Sequence, residues 1–256
     1  MDPLQRIKEQ LAIYLEDPDP SEAYEYIIRI SDILRAPKPE YPTIKVLDHG
    51  YVRLRQVFGD EAFIAESARQ STSGTSKGPE MDGKLIRRLW RDGRTSPFEM
   101  ASCTWDLKVP LFVVQQILRH RTAKFGHFNQ FSFRYSDGVK EGRRVDAESP
   151  EVEWYTPNNP SLHSPFAAEV MEEQARSAVA VYRNLLDLCV KSEDARLILP
   201  SNIYTRLRIQ FDVNNAMKFF ELRCADDVQA ETRAYAEAMR ELMRPCFPNV
   251  FAAEEP

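Results

Sequence analysis

The sequence predicts a mixed α/β domain with a central sheet and long helices, carrying a helical N-terminal extension. Three observations carry that prediction. Apolar residues recur at helical spacing through the last third of the chain. Shorter stretches between helical patterns alternate as strands do. A doubled proline breaker and a proline-rich segment set off the start of the chain. The boundaries that follow are 1–43 for the extension and 44–256 for the main domain.

In the extension, amphipathic helical patterns cover residues 4–15 and 21–34, parted by Asp17-Pro18-Asp19-Pro20 and followed by APKPEYP. They suit a packing arm. A short strand is expected around residues 44–47, then a helix over 60–70 that breaks at the hydroxyl-rich STSGTSKG, expected as a flexible loop over 71–78. Residues 84–92 read as a helix, SPFEM (96–100) as a turn, and 101–109 as a strand. Pro110 begins a helix to about Arg121, with proline at a favoured first position and Leu111, Val114, Ile117 and Leu118 on its apolar side. Gln116 and Arg119, three apart, project from one face. FSFRYS (131–136) alternates aromatic and polar residues, a strand pattern with Ser132 and Arg134 on one side. Residues 136–165 read as an irregular insert. Helices are expected over 166–190, 192–199, 216–222 and 227–243, the last ended by Pro245 and Pro248.

Composition narrows the function. A chain of 256 residues with 43% hydrophobic and 29% charged residues allows one large domain or two small ones with a real core. A net charge of −5 argues against coating nucleic acid by phosphate neutralisation, so no nucleic-acid partner is expected. Cys103, Cys189, Cys224 and Cys246 form no CxxC pair, which suggests neither zinc nor a disulfide framework and points to a reducing cytoplasm. No signal peptide or membrane-crossing run is read, and the scattered histidines suggest no metal. No glycine fingerprint of a Rossmann fold or P-loop follows a strand.

Against this acidic background the run RHRTAKFGHFNQFSFRYS (119–136) concentrates guanidinium, imidazole, carboxamide and hydroxyl groups between aromatic rings. Arginine forks bind phosphate, amides and hydroxyls read the edge of a heterocycle, and rings wall it in. A nucleotide is the natural ligand. Arg119-His120-Arg121 at a helix end has a plain alternative, since cations there gain about 0.3–1 kcal/mol from the macrodipole. A simple cap, however, does not require Gln116, Asn129, Gln130, Ser132, Arg134 and Tyr135 as well. Arg196 and Arg223 each stand beside apolar sequence, where a snorkelling or salt-bridged arginine is the commoner outcome. Asp226-x-x-Gln229 resembles a capping box, and periodicity alone does not promote Gln229 to a ligand contact.

RHRTA followed by NQFSFRYS resembles the signature of the flavin-dependent thymidylate synthases (ThyX), an RHR triplet followed by a spaced NExSxRY. The similarity extends through VLDHGYVRL, the AR-x-S element at 68–71, SPFE, VPLFVVQQILRHR, ARLILPSNIYTR and FFELRCADDVQAETR, covering most of residues 44–250 in the family's order. The resemblance implies a ThyX-like α/β fold, a homotetramer with active sites between subunits, and FAD, NADPH and 5,10-methylenetetrahydrofolate. It implies reductive methylation at C5 of a uridine monophosphate without a cysteine nucleophile, the reduced flavin activating the pyrimidine by hydride transfer. By matching position, Gln116, Arg119, Gln130, Ser132, Arg134 and Arg196 would hold the nucleotide. Arg223 would orient and polarise the uracil, with Ser132 beside it as a second catalytic candidate. Ser71, Ser96, Glu99, Arg119, His120, Arg121, Asn214 and Gln229 would contact the flavin.

The chain also departs from the family pattern. Ten residues separate Arg121 from Ser132, more than in the family motif, and the glutamate of NExS is Gln130. Asp212-Val213-Asn214 and Lys218 stand where the family shows N-x-R and a further asparagine, and Asp227 replaces a histidine. An enlarged loop and a carboxylate changed to an amide beside the ribose suit acceptance of a 2′-hydroxyl. The chain thus resembles the branch that methylates UMP in polyoxin-type nucleoside-antibiotic pathways. Ordinary conversion of dUMP to dTMP is the runner-up. A non-catalytic flavin or nucleotide binder is a third reading, and RNA binding through FSFRY a fourth that the acidic charge disfavours.

Overall fold

Two stretches of alternation that flank the predicted elements build the middle of the sheet. GYVRLRQVF and YTRLRIQFD form β2 (Gly50–Phe58) and β5 (Tyr204–Asp212), neither of which was expected as a strand. The expected strand at 101–109 is β3 (Ser102–Pro110), lying between them. The computed structural model describes residues 40–72, 74–120, 127–133, 152–157 and 166–253. All of these but Glu40 belong to one compact unit, Tyr41–Pro256. The helical patterns of the extension, Arg121, Arg134 and most of the insert lie outside the described residues.

The sheet has five antiparallel strands, with β1 (Thr43–Val46) and β4 (Phe128–Gln130) at its edges in the order β1-β2-β3-β5-β4. Alternation sends Val52, Trp105, Leu107, Leu207, Ile209 and Phe211 to one face, where each is buried. Full burial of such a side chain stabilises by about 1.5–3 kcal/mol. The opposite face is polar, with Arg208 gripping the Asp106 carboxylate through Nε at 2.6 Å and Nη2 at 2.9 Å, and Arg55 reaching it at 3.2 Å.

Helices cover the apolar face and the strand ends. α1 (Glu61–Ala68) is capped by Asp60, whose carboxylate accepts from Phe63 N at 2.8 Å. α2 (Pro79–Arg91) starts five residues before the expected 84, because Pro79 is preset for the first turn and Glu80 and Asp82 suit its positive end. Ser96–Met100 is a 3₁₀ turn. α3 (Leu111–Leu118) is shorter than expected: Pro110 is the last residue of β3 and caps the helix, and Arg119 closes it. α4 (Ala167–Asp187) precedes α5 (Ser192–Ala195), and the helix expected over 192–199 continues only as a 3₁₀ turn, Arg196–Ile198. α6 (Val213–Arg223) begins three residues before the expected 216, since Asp212 caps it through Asn215 N at 2.8 Å. α7 (Ala230–Met243) and α8 (Pro248–Phe251) finish the described chain.

Two close approaches fix this arrangement. A side chain at Gly50 would collide with the Tyr235 hydroxyl and come within 2.6 Å of the Val46 carbonyl oxygen, so only glycine lets α7 reach the β1–β2 turn. Tyr235 then donates to the Lys108 carbonyl at 2.6 Å. At the other end, the Glu61 carboxylate accepts from Asn249 N and Nδ2, both at 2.6 Å, tying α1 to α8.

The loop at 71–78, expected to be flexible, is anchored in its described residues by Asp82. That buried carboxylate accepts from Arg69 Nη1 at 2.5 Å, Lys77 N at 3.1 Å and the Ser76 hydroxyl. Arg69 also donates to the Thr75 carbonyl at 3.2 Å.

Candidate active site

Most of the sequence-predicted residues that are described fall into three groups. The first surrounds the C-terminal half of α3. There the Gln116 carboxamide donates from Nε2 to Gln229 Oε1 at 2.5 Å and accepts at Oε1 from the Thr232 hydroxyl at 3.0 Å. Arg223, the last residue of α6, donates from Nη2 to the Gln116 carbonyl at 2.9 Å, while its Nε is a buried donor without a partner. His120 packs edge-on against Phe219, with ring centres 5.3 Å apart. Burial, with the nearby Arg223 charge adding to it, holds the His120 imidazole below its ordinary pKa, so the ring is neutral at pH 7. Arg119 is exposed at the helix end.

The predicted capping box fails here. Gln229 itself occupies the N-cap of α7 without a side-chain cap bond, and Asp226 Oδ1 accepts from Arg233 at 3.2 Å. That leaves the Gln229 carboxamide available for Gln116, which periodicity did not reveal.

The second group opens at the other end of α3. A cavity of about 500 Å³ has Leu111, Phe131, Phe133 and Ile203 as apolar walls and Gln130, Ser132, Thr205 and Arg196 as its polar edge. Arg196 donates from Nη1 to the Ser132 hydroxyl at 3.4 Å and from Nε to the Glu193 carbonyl at 3.3 Å. Of the strand expected at 131–136, the described residues 131–133 follow β4 (Phe128–Gln130) and are not part of it. Phe131 N still bonds the Arg206 carbonyl at 2.8 Å, but Phe133 then turns into a second apolar cluster with Tyr182, Val152 and Ile203, which outweighs continued pairing. Ser132 reaches the cavity because the chain leaves the sheet there. Thr205, buried on the cavity edge, carried no sequence signal of its own.

The third group joins the 3₁₀ turn to α6. Asn214 donates from Nδ2 to Glu99 Oε1 at 3.2 Å, and its buried Oδ1 has no partner. Burial raises the pKa of the neighbouring Asp212, the Glu99 charge adds to that rise, and hydrogen bonds from Asn215 oppose it. Ser96 lies exposed on the same turn, and Ser71 lies exposed in the loop after α1. Burial pushes the Cys103 thiol pKa up, with Cys246 adding to it, which makes Cys103 a poor source of thiolate. Among the described residues no three His, Cys, Asp or Glu side chains gather as a metal-binding group, and no helix is long and apolar enough to cross a membrane.

Residues 53–249 match the family model described as thymidylate synthase complementing protein, and a flavin-dependent thymidylate synthase of Thermus thermophilus is 36% identical over 214 residues, 83% of this chain and 78% of that protein. The chain belongs to the flavin-dependent thymidylate synthase family. A second synthase of this name, from Treponema denticola, is 35% identical over 219 residues, covering 82% of this chain and 81% of its own. Among solved structures, a UMP/dUMP methylase PolB from Streptomyces cacaoi, bound with 5-Br dUMP, superposes with a TM-score of 0.65. It is 25% identical, over 82% of this chain and 96% of that one. As a member of the flavin-dependent thymidylate synthases, the chain is a methyltransferase that uses a flavin.

Proposed function

We propose that the protein carries out reductive C5-methylation of a uridine monophosphate, accepting UMP, with FAD as its flavin, NADPH as reductant and 5,10-methylenetetrahydrofolate as one-carbon donor. The observation that carries this reading is the cavity edged by Arg196, Ser132, Gln130 and Thr205. A guanidinium anchored by a backbone carbonyl suits a phosphate, while the apolar walls suit the sugar and base. Arg223 supplies donors for a pyrimidine carbonyl, and its unpartnered Nε is an unmet hydrogen bond that such a ligand would satisfy. Neutral His120 adds no second full charge beside it.

Two features support the proposed flavin site. Asn214 Oδ1, an unpartnered acceptor beside Glu99, fits an amine or hydroxyl donor of FAD, and exposed Arg119 fits its phosphates. Ser71, Ser96, Glu99, His120, Arg121 and Gln229 complete the proposed contacts, and Arg134 joins the nucleotide set. When bound, the flavin supplies the redox chemistry that brings the one-carbon unit to the methyl level.

The active form proposed is a homotetramer with its sites between subunits. In support, the Gln116–Arg223 group and the Ser132–Arg196 group, both assigned to the nucleotide in this reading, occupy opposite ends of α3. Exposed apolar side chains also stand where a second copy could cover them: Leu197 at the cavity rim, and Phe166, Val170 and Val181 along α4. The unpaired cysteines suit a reducing compartment, and the cytoplasm is the proposed location.

Conversion of dUMP to dTMP is the competing reading, favoured by the names of the synthase relatives. Competition decides between them: purified protein with FAD, NADPH, methylenetetrahydrofolate and equal UMP and dUMP, each methylated product resolved by mass spectrometry. Methylated UMP in excess is expected. dTMP in excess would restore ordinary thymidylate synthesis, and neither product would indicate a binder without catalysis. In the same assay Gln130→Glu is expected to shift the UMP to dUMP product ratio, because it restores a carboxylate at the cavity edge. An unchanged ratio would mean that this position does not read the sugar.

A further inference from the structure

We infer that Glu99 is a positioning residue: its carboxylate sets which way the Asn214 carboxamide faces, so that Asn214 presents its oxygen to the flavin and takes only an N–H or O–H donor. This rests on the reading of the Glu99–Asn214 group as part of the flavin site.

The sheet brings the two side chains together. Phe98, fully buried, anchors the 3₁₀ turn that carries Glu99. That turn runs into β3, where Ser102 pairs with Asp212, and Val213 N at the start of α6 donates to the Ala101 carbonyl at 2.9 Å. Just beyond this fixed register, Asn214 Nδ2 donates to Glu99 Oε1 at 3.2 Å. A carboxylate has no hydrogen to give, so the amide must offer it the NH₂. Glu99 is exposed and brings its negative charge into the site, where it adds to the rise in the Asp212 pKa. Turning the amide over would lose a bond to a charged group and set two acceptor oxygens against each other. Asp212 offers no rival, since its own oxygens accept from Asn215 N and Nδ2.

The other end of the amide is thereby fixed as an acceptor. Asn214 is 3% exposed, and its Oδ1 has no partner among the described residues, an unmet acceptor in the interior. Such an atom takes a donor and refuses a phosphate, whose oxygens only accept at neutral pH. In FAD the donors that fit are the imide N–H of the isoalloxazine ring, the amine of adenine and the sugar-chain hydroxyls. The arginine of the family pattern at this position could only donate, so the acceptor here is this chain's own.

The test uses two substitutions of exposed Glu99 in the full-length protein. Glu99→Gln keeps the shape but offers Asn214 either end of an amide, and Glu99→Lys offers only donors and so turns the NH₂ toward the ligand. FAD is titrated in with quenching of its fluorescence as the readout, alongside the melting temperature. FAD is an anion, so by charge alone both substitutions would tighten binding. The positioning role predicts the opposite sign: binding about 3- to 10-fold weaker in Glu99→Gln, and weaker again in Glu99→Lys. Asn214→Ala should weaken binding as well, and neither Glu99 substitution should weaken it further in that background. If Asn214→Ala weakens binding while both Glu99 variants hold FAD as tightly as the parent or tighter, the positioning role is overturned and the contact stands. Unchanged binding in Asn214→Ala would remove the contact and this inference together. Equal weakening by the Glu99 variants with and without Asn214 would make Glu99 a direct contact and overturn the inference too. Should Asn214→Ala fail to fold, the sign of the change in the two Glu99 variants decides alone. FMN, which lacks the adenylate half, locates the donor: the same pattern with FMN puts it on the ring or its ribityl chain, and a pattern confined to FAD puts it on the adenosine.

Discussion

Replacing Arg223 by alanine is expected to lower kcat/KM by at least about 10²- to 10³-fold, the scale seen when a donor to a developing negative charge is removed. The fold should survive. Arg223 is half-buried at the end of α6, and its links are polar: one bond to the Gln116 carbonyl, and an Nε that has no partner among the described residues. Removing it opens no apolar cavity of the kind that makes core substitutions costly. Circular dichroism paired with the methylation assay checks this, and a collapse of secondary structure along with activity would return Arg223 to a structural role. A second readout follows from its charge. The guanidinium helps to hold the His120 pKa down, so Arg223→Ala should let that pKa rise, measurable by NMR titration of the imidazole. Arg223→Lys should recover only part of the activity, since an ammonium lacks the planar fork.

The largest loss of stability is expected from Asp82→Ala. It leaves the buried Arg69 guanidinium without its counter-charge and strips Ser76 and Lys77 of their acceptor, a change that costs about 3–5 kcal/mol when a buried pair loses one member. Urea unfolding at pH 7 measures it. The pH dependence has a defined sign. Burial alone would raise the Asp82 pKa, but hydrogen bonds from Ser76, Arg69 and Lys77 and the Arg69 charge outweigh it, and the net shift is downward from 3.8. A depressed folded pKa means that the carboxylate's contribution is complete above about pH 4 and is lost as pH falls through the lower folded value. The stability curves of parent and variant should therefore converge in strong acid. A gap that stays constant below pH 3 would show that Asp82 acts through shape and not through charge.

How much of this was legible in the sequence differs by element. α2, α4 and α7 announced themselves because each has one side in the core and the other in water, giving a 3.6-residue rhythm. β3 was visible for the matching reason, with strict alternation from Cys103 to Val109. β2 and β5 have the same alternation, but with arginines at Arg53, Arg55, Arg206 and Arg208 as their polar half, and such runs also suit a solvated loop until a partner strand is known. Residues 131–133 misled in the opposite way. Their alternating aromatics suit two different apolar surroundings, the sheet edge and the second cluster, and only tertiary packing chooses between them.

The site was legible as an inventory and not as a map. Charged and amide residues in RHR and NQFS marked nucleotide chemistry, yet nothing in their spacing separated Gln116 from Ser132 into groups at opposite ends of one helix. Thr232 was invisible because a single threonine in a helical pattern has many uses. Its partner lies 116 residues away, beyond any local pattern.

The bonds from Glu61 to Asn249, and the fit of Gly50 against Tyr235, join the early part of the domain to its last helices. During synthesis this imposes an order of events. The β1–β2 hairpin emerges from the ribosome long before α7 exists to cover it, and α1 waits through 188 residues for its acceptor to be used. A translating ribosome therefore holds an unfinished sheet whose apolar face is bare for roughly 10–40 s at about 5–20 residues per second. Such contacts of long sequence separation slow folding, because chain closure comes before its reward. The nascent chain is thus the stage at which this protein most needs protection from its neighbours.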